Sequence, residues 1–306
     1  MKIKDPLDRL KRLEEEMGAL KGTVSELRNQ VVTLREALKT SRHPVEAFLW
    51  QRGFPVITQG DRSWTLLPSD MSLKANEHFY QLMRRYSFRL FLRDLIQFPE
   101  GKDFKVLNRY CSMRTVRSYL ENLAQLGIVT LGRDRSYHLI LQQVSSFGPT
   151  LEWYVSEIFQ REFMAPALFN VRLQHTRYGG DYDVIALIGG RLVYVEVKSS
   201  PPRGVELQAV SAFLNRLQDL QPRVAVFLVD TELRMKDKIV PLFAQALGAT
   251  DEHTESSLVS RLINEIFHIH HSIYLINSRK GIYSNLRYCF RDSFQAGKKA
   301  VRLLPP

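Results

Sequence analysis

The sequence predicts a multidomain α+β protein: an N-terminal coiled coil, a middle helix-turn-helix with a hairpin, and a C-terminal α/β core on a mixed sheet. Three observations predict it. Leu10, Met17, Val24, Val31 and Leu38 recur at heptad spacing, with Leu13, Leu20, Leu27 and Leu34 between them. Apolar residues between 76 and 144 follow a helical period and then give way to short alternating runs. From 146 onward, strand-like runs rich in β-branched residues flank a pair of glycines and alternate with helical stretches, as a sheet with a crossover requires.

Composition narrows the class. At 306 residues the chain is long enough for more than one core. Its 44% hydrophobic and 25% charged content is ordinary for globular protein. The formal net charge of +11 is not, and it favours an anionic partner, of which nucleic acid is the commonest. Cys111 and Cys289 offer neither zinc spacing nor a disulfide framework, which points to a reducing, cytoplasmic setting. No run approaches the ~18 consecutive apolar residues of a membrane span, and the charged N-terminus has no apolar signal core.

Residues 5–41 are expected to form the coiled-coil helix. Val at a with Leu at d favours a parallel pair, and Arg9 with Glu14, or Glu16 with Lys21, fit the flanking g-to-e spacing. The expectation is a homodimer; antiparallel pairing or a foreign partner stays open. The competing reading, one helix packed on its own domain, calls for a wider apolar stripe than a and d alone. Ser41 to Pro44 ends the helix, and Gly53, Pro55, Gly60 and Pro68 mark 42–75 as a connecting or small-β segment.

Residues 76–145 read as a long amphipathic stretch from about His78 to Phe98, a shorter one from Lys105 to Tyr110, and a helix from N-cap Ser112 to Gly127. That last helix presents Val116, Tyr119, Leu120 and Leu123 to a core. Ile128–Leu131, a Gly132–Ser136 turn and Tyr137–Leu141 supply a hairpin. The element order and the Leu-Ala-Gln-Leu-Gly-Ile ending resemble bacterial winged-helix transcription regulators. The resemblance implies nucleic-acid contacts from Arg114 and Arg117 on the recognition helix and Arg133 and Arg135 in the wing. A solvated basic surface or a protein-docking module are the competing readings.

Residues 146–280 carry the chemistry. Thr150 can cap a helix whose apolar positions are Leu151, Tyr154, Val155, Ile158 and Phe159. On a 100° wheel Glu152 sits at the margin of that stripe, while Glu157 points away. Val171–His175, 182–188, 191–198 and 224–230 read as strands, 204–217 as a helix, and Ser272–Asn277 as a further strand. Gly189-Gly190 suits a two-residue hairpin turn, which pairs Ile188 with Arg191 and sets Asp183 opposite Glu196, with Lys198 on the same face. Two carboxylates this close repel unless a proton or cation intervenes, so the pattern suits a hard divalent metal. The competing reading is a surface hairpin with a structural Lys198–Asp181 pair. It is disfavoured because Asp opposite Glu is a poor choice for stability alone.

Asp183, Glu196-Val197-Lys198 and the upstream Glu152 resemble the PD-(D/E)xK nuclease superfamily, with Tyr182 where the motif's name has Pro. The resemblance covers roughly 147–235. It implies a restriction-endonuclease-like αβββαβ core and a Mg²⁺ or Mn²⁺ ion held by Asp183, Glu196, the Val197 carbonyl and Glu152. It further implies a Lys198 that orients water or stabilises the phosphorane, and a substrate-touching Gln208. His268, His270 and His271 are assigned no site, and 281–306 reads as a basic flank. The expected activity is metal-dependent endonucleolytic hydrolysis, of DNA in preference to RNA, in defence, restriction, recombination or repair. The alternatives are a DNA-binding regulator or scaffold with an idle nuclease fold, and an RNA nuclease.

Overall fold

A computed structural model of the chain describes residues 6–40, 42–141, 143–249 and 258–302. The heptad segment forms one helix, α1 (Pro6–Thr40). The described seam side chains Leu13, Met17, Leu20, Val24, Leu27 and Val31 stand in solvent, the most buried of them still 46% exposed. Between 13 and 31, then, α1 does not lay its stripe on its own chain. The side chains of Leu10, Leu34 and Leu38, of Arg9, and residue 5 lie outside the described ones.

The segment expected to be connecting or small-β structure holds a helix and a short strand. It forms α2 (Pro44–Gln51), which buries Val45 and Leu49, and β1 (Val56–Thr58), which pairs antiparallel with β5 (Ala167–Leu173). Proline at the first helical position and the side chain of His43 as N-cap start α2.

The long amphipathic stretch divides at Arg84-Arg85 into α3 (Leu73–Met83) and α4 (Tyr86–Gln97). There follow β2 (Glu100–Gly101), a 3-10 turn (Phe104–Leu107), α5 (Met113–Gln125), β3 (Val129–Leu131) and β4 (Tyr137–Leu139). The three strands form one small sheet in the order β2-β4-β3. Ser112 caps α5 as its sequence position predicts, and Val116, Tyr119, Leu120 and Leu123 are its buried face.

The larger sheet has eight strands, ordered β1-β5-β6-β7-β8-β11-β10-β9, where β6 is Asp181–Ile188, β7 Arg191–Lys198, β8 Val224–Val229, β9 Ser260–Ile263, β10 Ile266–Ile269 and β11 Ile273–Asn277. It is mixed: β8 runs parallel to both β7 and β11, and the other pairs are antiparallel. The helix α7 (Leu207–Leu220) links β7 to β8, as a parallel pair requires. One face packs against α6 (Gly148–Glu162) and α9 (Ile282–Arg302), the other against α2, α7 and α8 (Ile239–Ala246). The described part of the expected basic flank is packed: α9 buries Ile282, Leu286, Cys289 and Phe290 while Arg287 and Arg291 stay exposed.

A single hydrophobic cluster runs from α3–α5 through α6 into the sheet. Buried polar contacts cross the same boundary. Asp230, just past β8, accepts from Arg89 Nε and Nη2 of α4 at 3.0 and 2.8 Å and from Arg93 Nη2 at 2.5 Å. Thr150, expected as a cap, instead accepts from the Leu66 backbone N–H at 2.9 Å, and α6 begins two residues earlier at Gly148. No helix among the described residues is long and apolar enough to cross a membrane.

Candidate active site

The β6–β7 hairpin positions the site. Gly189 and Gly190 adopt φ of +55° and +72°, left-handed values that glycine takes at no steric cost. Pairing then runs outward from Ile188–Arg191 to Val184–Val195 in the expected register. The expected Asp183–Glu196 pair does not continue the ladder. Alternation changes there. Val184 on β6 and Phe169 on β5 face α6, whereas Tyr182 and Val171 face α7, and between the β5 residues Asn170 takes a left-handed φ of +50°. Asp183 sits at this switch, half-buried, and its Oδ2 accepts from the Val197 backbone N–H at 2.6 Å. It does not stand on one face beside Glu196; its carboxylate caps the β7 backbone where the strands part.

Glu196 is 2% exposed. Three donors hold it: Lys198 Nζ at 2.7 Å, Arg216 Nη1 at 2.9 and 3.1 Å to its two oxygens, and the Tyr194 hydroxyl. Tyr194 and Lys198 share its face because strand side chains alternate with period two. Lys198 therefore pairs with Glu196 and not with Asp181, which is exposed and bonds Arg172 at 2.9 Å. Gly180, with φ of +92°, passes close to Arg216: a Cβ there would stand 3.0 Å from its Nη2.

Glu152 reaches this cluster from α6. Burial is the main cause that raises its carboxyl from the ordinary 4.5 to about 7, and the Glu196 charge adds to it. Burial likewise pushes Asp183 well up, reinforced by Glu196 and Glu152. Glu157 serves elsewhere, accepting from Arg161 Nε at 2.5 Å while Arg161 also bonds Asn76 of α3 at 2.6 Å.

Arg216 and Tyr194 are the members that reading the sequence missed. Arg216 had a signal: it falls between Phe213 and Leu220 at helical spacing, a charge inside α7's buried stripe. Gln208, expected to touch substrate, is exposed in the first turn of α7, two turns before Arg216. Arg114, Arg117, Arg133 and Arg135 are all exposed, on α5 and in the β3–β4 turn, with Arg135 at a left-handed φ of +68°. Two of the three histidines make contacts within the fold, and His270 is exposed. His268 and His271 stack at 4.0 Å, and His271 meets Asp292 of α9 at 2.7 Å.

Among the described residues no group of three His, Cys, Asp or Glu side chains is disposed as a metal cage. Glu152, Asp183 and Glu196 nonetheless gather near Lys198 and Arg216, and two of the three carboxyls are driven toward the protonated form. A proton or a cation would each relieve their repulsion.

No family model matches the chain, and no curated protein matches it. Solved structures similar to the chain include two that align over most of its length. Protein VC1899 from Vibrio cholerae superposes with a TM-score of 0.45 and 16% identity over 81% of this chain and 62% of its own. Can2 from Sulfobacillus thermosulfidooxidans, in complex with cyclic tetra-adenylate, gives 0.44 and 13% over 80% of this chain and 60% of its own. This chain therefore spans about three fifths of the length of either.

Proposed function

We propose that the chain is a metal-dependent endonuclease that hydrolyses phosphodiester bonds, of DNA in preference to RNA. One observation supports the reading: Asp183 accepts from the Val197 N–H, next to Glu196 with its bound Lys198, and Glu152 from a separate helix feels the Glu196 charge. Asp183, Glu196, Glu152 and the Val197 carbonyl would hold Mg²⁺ or Mn²⁺. Bound there, the metal would polarise the phosphate and acidify a water. Lys198, with 26% of its side chain exposed, would meet the charge that builds on the phosphate. Arg216 acts through Glu196, fixing its orientation from behind. Glu152, whose carboxyl burial pushes up, would support the metal's water shell. The proposed setting is defence, restriction, recombination or repair, with two copies joined through α1.

A specific observation favours a second reading, a DNA-binding regulator or scaffold whose nuclease fold is idle. Glu196 has its charge answered by Arg216 and Lys198, so it has no electrostatic need of a metal. Incubation of purified protein with duplex, single-stranded and branched DNA and with RNA separates the two. Cleavage in Mg²⁺ or Mn²⁺ that EDTA abolishes supports the nuclease. Binding without cleavage in either metal supports the idle fold, and cleavage of RNA alone overturns the DNA preference.

A further inference from the structure

Two of the chain's three tryptophans stand half in solvent: Trp50 is 54% and Trp64 51% exposed, whereas Trp153 is buried in the core. Both exposed indoles line one cleft of about 870 Å³, a size that takes small organic groups. Trp50 comes from the last turn of α2 and Trp64 from the loop after β1, the edge strand of the large sheet. Ile57 of β1, itself 51% exposed, lines the same cleft. Single apolar side chains at a surface are ordinary, but three gathered on one cleft mark a binding surface.

The cleft adjoins the candidate active site. Asp181, on its wall, lies two residues before Asp183 on β6, and its charge is among those that bear on Glu152. The polar groups around the rings are already balanced. Asp181 bonds Arg172 at 2.9 Å, Asp61 accepts from the Ser63 N–H at 2.8 Å, and Glu46 accepts from Gln59. Arg42, exposed, lies over the Trp50 ring at 4.3 Å. Two arginines and three carboxylates do not make an anion site. They make a polar rim around aromatic faces, which suits a flat, neutral group with donors and acceptors on its edge. On a chain of net charge +11, beside a candidate phosphodiester site, that group is a nucleobase.

We propose that this cleft stacks unpaired nucleobases of a single strand that leads to the candidate active site. One base lies on Trp64 and another against the layer that Arg42 makes with Trp50, as planar guanidinium and indole both stack on bases. The sugar-phosphate backbone stays outside, in solvent. A duplex cannot use the cleft, because its bases already cover one another's faces and only an unstacked base offers one to indole. The inference rests on the nuclease reading for its choice of ligand. It makes a substrate with an open strand next to the scissile bond the favoured one.

The test uses the full chain in EDTA, titrated with short oligo-dT and with a blunt DNA duplex, and follows both tryptophan fluorescence and the anisotropy of the labelled DNA. Oligo-dT is expected to quench the two exposed indoles. Trp64→Ala and Trp50→Ala should each weaken oligo-dT binding by roughly tenfold, the contribution of one stacked base, and leave duplex affinity unchanged. Trp64→Phe should keep most of the affinity, since a ring remains. A folded Trp50→Ala/Trp64→Ala protein that binds oligo-dT as the wild type does would overturn the proposal. So would Trp64→Phe proving as weak as Trp64→Ala, or equal losses for duplex and oligo-dT. A double variant whose mass by light scattering changes while its oligo-dT affinity does not would assign the cleft to a protein contact instead. If the alanine variants do not fold, the wild type alone decides, and saturating oligo-dT that leaves its tryptophan fluorescence unchanged refutes stacking. None of these readouts involves cleavage, so an idle fold can pass them and an active nuclease can fail them.

Discussion

Glu152 and Glu157 differ by five positions on one helix and by everything in their surroundings. Glu152 faces Asp183 and Glu196, whereas Glu157 is engaged by Arg161 and the link to α3. Glu152→Gln is therefore expected to lower the cleavage rate by on the order of a hundredfold. Glu157→Gln should leave the rate within a few-fold and act on stability instead. Single-turnover kinetics of both variants decide it, and equal effects would place the site elsewhere. The same carboxyl links stability to pH. Its folded pKa of about 7 lies above the ordinary 4.5, so the folded state holds the proton more tightly than the unfolded chain does. Stability is then highest below about 4.5 as far as this group is concerned, and falls as pH rises towards 7, Asp183 adding in the same direction. In EDTA the melting temperature should drop from pH 5 to pH 8, less so in Glu152→Gln, and Mg²⁺ should restore most of the loss at pH 8. A melting temperature that is flat with pH, or indifferent to Mg²⁺ at pH 8, would show that the carboxylates carry no unmet demand for a cation.

At the scale of elements, the sequence shows the β6–β7 hairpin, α5 and its Ser112 cap, and the α6-β5-β6-β7-α7-β8 order clearly, because each rests on local periodicity or on turn chemistry. What it hides is non-local. Nothing near Val56 announces that a short run will pair with β5, more than a hundred residues on. The break between α3 and α4 falls in a stretch whose helical period continues across it. Asp183 defeats the sequence for a related reason: register arithmetic assumes unbroken alternation, and the left-handed Asn170 on the neighbouring strand marks where alternation fails. Arg216 is joined to Glu196 only by the packing of α7 on the sheet. The small three-stranded unit makes its own prediction. If α5 and the β3–β4 turn meet nucleic acid, replacing Arg114, Arg117, Arg133 and Arg135 together should weaken binding and flatten its salt dependence, by roughly one unit of slope for each phosphate left without its arginine. Unchanged affinity and slope in a folded variant would make the unit a protein-docking module.

The whole molecule combines a body whose middle unit and sheet share one core with a long helix that leaves its seam uncovered. Breaking that continuity is strongly destabilising, since Asp230 lies fully buried between Arg89 and Arg93. The seam predicts assembly. Six described a and d side chains, from Leu13 to Val31, are exposed in the single chain, and a second α1 is the partner their spacing fits. Light scattering should report a homodimer, and Asp at both Val24 and Val31 should split it at a cost of several kcal/mol while the rest stays folded. Paired-strand cuts should then suffer more than nicks. A monomeric wild type, or a double variant that remains dimeric, removes this role from α1. The site where β6 and β7 part carries the proposed chemistry. Its most direct measurement is cleavage of DNA in Mn²⁺ by the wild type, Asp183→Ala and Glu196→Ala, each shown to be folded. The predicted result is activity in the wild type and a loss of roughly a hundredfold or more in both variants; robust cleavage by either alanine variant at the same metal concentration would contradict it.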